Sequence, residues 1–393
     1  MTTLVLFFLL FLAPGETHST GNRSPSTSGA TFARLAQQAE QARQANQTKD
    51  AIALYHRALG LKPDWKEGWW YVGSLYYQQD RYPECRDAFS HLTPLEQKGG
   101  PAWSMLGLCE FEIKEYDSAL AHLRHGVELG LAAAPQIDEV ARYHLALLLT
   151  RYEFYEKSLD VFFELARRGS NDPSMIQAAG IAALRKPLLP NELPQEEREI
   201  TYLAGKAIWD AGARRSAQAH KDFETLLAKY PDGPGIHFLY GSFLLQEEPE
   251  KGIPELQKEI EVSPKHVPAR VQLALEYLRR GEPAKGLSYA TEAARMAPDS
   301  VVAHSALGRI LVETGELQPG IVELELAEKL SPDSPQPRIA LASAYAKVGR
   351  KEDAARERRE FLRLKELYKN ASSEEFVGNF DRRRVPRHSP TRW

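Results

Sequence analysis

Charge of one sign, long apolar runs and cysteine are all in short supply. The 393 residues hold 50 Lys and Arg against 53 Asp and Glu, and a net charge of −3 gives no general reason to expect nucleic acid or acidic substrates. The one unbroken apolar run, Leu4 to Leu12, is far short of the roughly 20 residues that cross a bilayer. Enzyme signatures are missing too: no Gly-x-x-x-x-Gly-Lys-Ser/Thr, no Gly-x-Ser-x-Gly, no Gly-x-Gly-x-x-Gly after a strand, and no alternating strand pattern at all. The cysteines are two, Cys85 and Cys109. An even pair can bridge in an oxidising compartment, but Cys85 falls at a place where small buried residues recur, and the reading made here is two separate buried thiols.

What is present is a period. Ser263-Pro264-Lys265, Ala297-Pro298-Asp299 and Ser331-Pro332-Asp333 set their prolines 34 residues apart, twice in succession. A fixed period of that size marks stacked helix pairs. Between Pro298 and Pro332, Ala303, Leu307, Ile310 and Leu311 recur at helical spacing; Thr314-Gly315-Glu316 interrupts, and Ile321, Leu324, Leu326 and Ala327 resume the pattern. Proline ends the second helix because it has no amide hydrogen and constrains the residue before it. Such a pair cannot bury its apolar faces alone.

Within the frame the eighth place is small: Gly73, Gly107, Ala146, Ala207, Gly241, Ala274, Gly308 and Ala342. The twentieth is small as well, in Ala51, Ala119, Ala219 and Ala354, and the twenty-fourth is large, in Tyr55, Phe89, Leu123, Phe162, Phe223, Leu256 and Leu324. Small against large at a fixed interval is a core in which two helices approach closely, and a side chain larger than alanine at the small places would force their axes apart. Trp69, Gly73 and Tyr76, then Trp103, Leu106-Gly107, Tyr116 and Ala119, then Leu307-Gly308, Gly315, Leu324, Ala327 and Pro332 carry a resemblance to the tetratricopeptide repeat family over about residues 32 to 367. The resemblance implies an all-α, right-handed solenoid of about nine helix pairs, and a non-catalytic scaffold for protein–protein interaction without cofactor or metal.

Taken in order, residues 1–15 read as a signal peptide, with Ala13-Pro14-Gly15 before a cleavage point at Glu16. The chain is therefore similar to exported bacterial-type members of the family, periplasmic or extracellular, with an uncleaved anchor as the alternative. Residues 16–31 are a Ser/Thr-rich linker; 32–184 an N-terminal array; 185–197 a Pro-rich insertion that no helix continues through; 198–369 a C-terminal array. Pro173 to Leu184 has the pattern of a first-type helix, and the unit from Pro234 to Pro264 is about one residue short between its helices. Residues 370–393 form a basic tail, whose last fifteen residues hold five arginines and one aspartate; Arg382, Arg383, Arg384 and Arg387 are read as solvated.

In the family the first helix of each pair lines the concave face, at places two, five, nine and twelve. Here those places hold Trp70, Ser74 and Tyr77, then Ser104, Leu108 and Phe111, then Tyr143 and Leu147, and further on Phe238, Val271, Leu275, Leu278 and Arg309. Trp70, Tyr77, Phe111, Tyr143 and Phe238 are the candidate partner-binding residues, for an apolar protein segment of unknown identity. The competing reading is that these rings pack on one another; a glycan- or peptidoglycan-binding subunit is the alternative function. His122 and His125 stand three apart with no convergent third ligand and are read as solvated, and His144, His237, His266 and His304 as surface residues.

Overall fold

The computed structural model describes residues 27–371, and all its regular elements are helical: nineteen α-helices and one 3-10 turn, with no strand among the described residues. The chain divides into two compact units, the first ending at Val161 and the second starting at Phe162. The first contains α1 (Thr27–Gln44), α2 (Thr48–Leu61), α3 (Lys66–Gln78), α4 (Tyr82–Leu92), α5 (Gly100–Glu112), α6 (Tyr116–Leu129) and α7 (Pro135–Arg151), and the boundary falls inside α8 (Tyr155–Arg167). The second contains α9 (Pro173–Ala183), α10 (Arg198–Gly212), α11 (Ser216–Lys229), α12 (Ile236–Glu247), α13 (Pro249–Val262), α14 (Val267–Arg279), α15 (Pro283–Met296), α16 (Val301–Thr314), α17 (Leu317–Leu330), α18 (Pro335–Lys347) and α19 (Lys351–Ala371). The proposed signal segment, most of the linker and all but the first two residues of the basic tail lie outside the described residues; α1 begins at Thr27, inside the stretch expected as linker, with small hydroxyl residues in its first turn, and α19 runs two residues into the expected tail.

Helix starts follow local chemistry. Proline occupies the first turn of eight helices, where its missing amide hydrogen leaves no bond unmade. Asp172 accepts from the amides of Ser174 and Met175, and Ser300 from that of Ala303, each satisfying a donor that the helix itself cannot. The turn inside each pair has one left-handed residue, seven after the small eighth place: Asn46, Asp80, Lys114, Glu153, Arg214, Gly281, Gly315 and Gly349. A left-handed residue there ends the first helix and turns the chain toward the second. The α12/α13 turn is one residue shorter and lacks it; Glu248, φ −133, both ends one helix and starts the next.

Among the described residues nine successive pairs form, and α9 is followed by a strap before the chain returns to it as α10. Its turn residue Arg185 is left-handed like the others, but Lys186 to Pro194 then runs as a non-helical strap. Leu189 and Leu193 of the strap are buried, Lys186 pairs with Glu197 at 2.9 Å, and α9 itself packs closely on α10, where a Cβ on Gly180 would lie 1.7 Å from the Thr201 carbonyl and one on Gly205 1.9 Å from that of Ile176.

The small and large places meet as the pattern requires. A Cβ on Gly73 would lie 2.6 Å from the Phe89 ring, one on Gly107 2.7 Å from Leu123, and one on Gly308 2.6 Å from Leu324. At these positions even alanine is too large, so the expected threshold is one methyl too generous. The twenty-fourth-place side chains are at most 1% exposed, and each contributes on the order of 1.5–3 kcal/mol of burial.

The link from one pair to the next also has a fixed place, four before the small one. Trp69 and Trp103 donate their indole N–H to the carbonyls of Pro63 and Gln97, at 2.8 and 3.1 Å. His237 and His304 do the same from Nε2 to Pro231 and Pro298, at 2.8 and 2.9 Å, and the Arg338 guanidinium reaches Pro332 at 2.9 Å. A carbonyl only accepts, so Nε2 of both histidines bears the hydrogen. The Nδ1 atoms meet Glu255 and Glu323, each at 2.6 Å. His237 and His304 are thus buried, not surface residues; a repeat pattern that calls for Trp is met by another N–H donor of similar reach.

Cys85 and Cys109 form a disulfide, with Cα atoms 5.9 Å apart. The expectation of two separate thiols is corrected on this point, although both residues are buried as foreseen. The bridge arises because the twentieth place of one pair faces the tenth place of the next, a juxtaposition that exists only between pairs.

Candidate functional site

The five candidate residues are all half-buried, each leaning on a neighbouring side chain. In the first unit Trp70 on α3 stands edge-on to Phe89 at 5.6 Å, and Tyr77 on the same helix stands edge-on to Tyr82 at 5.6 Å. Phe111 on α5 contacts Tyr116 at 5.5 Å and His144 at 4.7 Å, and Tyr143 on α7 lies 5.3 Å from His144. The structure therefore gathers Phe111 and Tyr143 around one imidazole, while Trp70 sits two turns before Tyr77 on α3. Phe238 belongs to the second unit, where it packs on His266 at 4.8 Å. The reading that these rings pack on one another is met halfway, since every one has a supported side.

Burial tunes this face. It pushes the Tyr77 hydroxyl well above the ordinary tyrosine range, with Glu112 and Asp80 adding to the shift, and burial and the bond to Asp80 do the same for Tyr82. The His144 imidazole is held below its ordinary value by burial, against a bond to the Val140 carbonyl. At neutral pH the face therefore presents neutral rings to a neutral imidazole.

Not every place assigned to the inner face is open. Ser74, Ser104, Leu108 and Leu147 are buried, Ser74 donating to the Trp70 carbonyl at 2.8 Å. Ser104 lies against Gly126, where a Cβ would come within 2.3 Å of its hydroxyl, so the close approach of α5 and α6 uses up that position. His122 and His125 are not freely solvated either. They flank the Trp103 ring at 5.3 and 4.8 Å, and His122 Nδ1 meets the buried Glu110 at 2.7 Å. Among the described residues no group of three or more His, Cys, Asp or Glu could hold a metal ion, and no helix is long and apolar enough to cross a membrane.

Within the second unit the first helices α14, α16 and α18 frame a cleft of about 460 Å³, lined by Leu278, Arg309, Val312, Leu324, Ala340 and Ser343 among others. Leu278 and Arg309 were inner-face residues by register. Val312, Ala340 and Ser343 were not singled out, though Val312 and Ser343 stand at the twelfth and ninth places of the same frame.

The tetratricopeptide repeat model matches residues 37–94 and 271–335. No curated protein matches the chain. Among solved structures, MamA AMB-1 is 22% identical with a TM-score of 0.38, covering 42% of this chain and 99% of its own. MamA from Desulfovibrio magneticus RS-1 is 15% identical with a TM-score of 0.40, covering 43% of this chain and 96% of its own. At these values neither likeness bears on function. Paired helices in constant register, small places seated on large ones, and a repeat model matched in both units show that the chain carries tetratricopeptide repeats.

Proposed function

We propose that the chain is a non-catalytic scaffold of the cell envelope, which holds an apolar segment of another protein against the rings of Trp70, Tyr77, Phe111 and Tyr143, with Phe238 as a further contact in the second unit. Repeats of this family serve protein–protein interaction, and aromatic residues are the types that dominate such contacts. The observation that carries the reading is the row of half-buried rings on successive first helices, each held on one side by a neighbour. Such rings are pre-positioned, so little ordering is needed on binding. Export is supported by the apolar run Leu4 to Leu12 and by the bridged Cys85 and Cys109, which suit an oxidising compartment.

The test is a Trp70→Ala/Phe111→Ala double variant of the full chain, compared with wild type by cross-linking in the envelope and mass spectrometry. Partner cross-links should fall at least several-fold while the thermal midpoint shows the fold retained. Unchanged cross-links in a folded variant would remove the proposal. A glycan-binding role is favoured by the Tyr77 and Tyr82 rings beside the Asp80 carboxylate, which accepts from the Tyr82 hydroxyl at 2.7 Å. Retention on immobilised peptidoglycan, lost on Tyr77→Ala, would favour it over a protein partner.

A further inference from the structure

We propose that His266 is an acid-released latch in the second unit: with a neutral ring it caps α14 and supports Phe238 of α12, and proton uptake at Nδ1 ends both. Phe238 is the second-unit contact in the reading above, so the latch would carry pH into that contact. The latch itself requires no partner and does not depend on that reading.

The geometry fixes the state of the ring. Expected on the surface, His266 has a side chain only 14% exposed. It stands just before α14, and its Nδ1 accepts the amide hydrogen of Ala269 at 3.1 Å, so Nδ1 bears no hydrogen and the imidazole is the neutral Nε2–H tautomer. Phe238 packs on this ring at 4.8 Å. Nε2 lies 4.0 Å from Glu259 of α13, beyond hydrogen-bond reach, and that fully buried carboxylate accepts from the amides of Gly235 at 2.9 Å and Phe238 at 3.2 Å, at the start of α12. The same place, eight before the small one, holds Ser300 in the pair that begins with α16, where the hydroxyl accepts from Ala303 at 3.2 Å. A hydroxyl cap is indifferent to pH in this range; an imidazole cap is not.

Burial holds the His266 imidazole below the ordinary histidine range; the Glu259 carboxylate opposes this, and Arg185 at the turn after α9 and Arg270 on α14 reinforce it. Arg270 is itself turned to Glu292 of α15 at 2.7 Å and to the His266 carbonyl at 3.3 Å. Because the folded ring takes up its proton less readily than the unfolded one, the stability it lends is fully present above the ordinary range and is lost as pH falls through the lowered value. Acid therefore opens the latch. Once charged, the ring carries a hydrogen on Nδ1 that faces the Ala269 N–H, two donors in opposition, while Glu259 offers the new charge an acceptor close by. The ring leaves the cap for the carboxylate, and Phe238 loses the face on which it rests.

The test is site-resolved amide hydrogen exchange of the full chain at about pH 7.5 and about pH 5, which bracket the ordinary histidine range, with each rate divided by the intrinsic rate at that pH. Protection of Ala269 should fall on the order of fivefold in acid, the effect of one lost cap, while protection of Ala303, capped by Ser300, stays as it is. His266→Ser, which installs the Ser300 cap, should keep the Ala269 protection at both pH values, and His266→Ala should lack it at both. Imidazole nitrogen shifts of the wild type, a measurement that needs no variant to fold, should show the Nε2–H tautomer of His266 at neutral pH. Equal Ala269 protection of the wild type at the two pH values, an acid loss of the same size in His266→Ser, or an Nδ1–H tautomer would each overturn the proposal. Exchange is read without a partner, so failure of the latch and failure of the partner-binding reading are distinguishable.

Discussion

Asp210 on α10 and Asp222 on α11 are buried side by side, and two carboxylates so placed cannot both ionise freely. Burial and the bond to Asp222 hold Asp210 above the ordinary carboxylate range, although Arg215 donates to it at 2.6 Å. Burial pushes Asp222 upward as well, but bonds with Asp210, with Lys206 at 2.8 Å and with Gln218 at 3.0 Å bring it below. With the two shifted in opposite directions, Asp222 ionises before Asp210 as pH rises. Because the folded Asp210 titrates above its unfolded value, the stability it lends is fully present in acid and is lost as pH rises through the folded value. Asp222 works in the opposite direction, its contribution being lost as pH falls through its lowered value. Asn at position 210 mimics the protonated acid and donates to Asp222 at every pH. Asp210→Asn should therefore lack the decline in stability that wild type shows above the ordinary carboxylate range, and should match or exceed it at pH 7 despite losing the partner of Arg215. Thermal midpoints measured from pH 4 to pH 8 check this, and parallel curves for the two proteins would show that Asp210 is already ionised in the fold.

At the scale of the helix pair, the recurring device is an N–H donor on the first helix that reaches back to a carbonyl at the end of the preceding pair. His304 serves this role through Pro298 and adds a bond to Glu323 on its own second helix. His304→Phe deletes both bonds while keeping a ring, which should destabilise the chain by roughly 2 kcal/mol at about 1 kcal/mol per bond. His304→Arg should lose less than half as much, because Arg338 makes both kinds of contact from the equivalent place. Urea unfolding of the two variants beside wild type checks the ranking, and equal losses would mean that ring packing, not donation, is what the place requires. The same device shows what could be read in advance. Helix pairing was legible because proline period, small place and large place are local and repeat in phase. The donor place was legible only where it is Trp; at His237, His304 and Arg338 the residue type changes while the function of the place does not, so only register could have revealed it. The same register placed Trp70, Tyr77 and Phe111 where the structure leaves them half-buried, and was misleading at Ser104 and Leu108, which are buried, because how deeply a first helix is covered depends on its neighbours and not on its own pattern.

Over the whole chain, a stack of pairs held by neighbour contacts can unravel from either end, since no pair depends on a distant one. The Cys85–Cys109 bridge changes that in the first unit. It joins the second helix of one pair, α4, to the first helix of the next, α5, closing a sequence separation of 24. Chain-entropy reasoning puts the stabilisation from such a closure at about 3 kcal/mol. Both sulfurs belong to fully buried residues, so reductant alone should leave the bridge intact until the unit opens. Four of the six tryptophans, Trp65, Trp69, Trp70 and Trp103, lie in the first unit, and intrinsic fluorescence therefore reports mainly on it. In urea with reductant, the fluorescence transition of wild type should move to lower denaturant and coincide with that of Cys85→Ala/Cys109→Ala, which itself should not respond to reductant. The loss should be confined to the first unit, so far-ultraviolet circular dichroism, which reports on all nineteen helices, should separate into two steps. Transitions that ignore reductant in the wild type, or two free thiols titrated in the urea-unfolded wild type without reductant, would show that the stitch is absent and return the first unit to neighbour contacts alone.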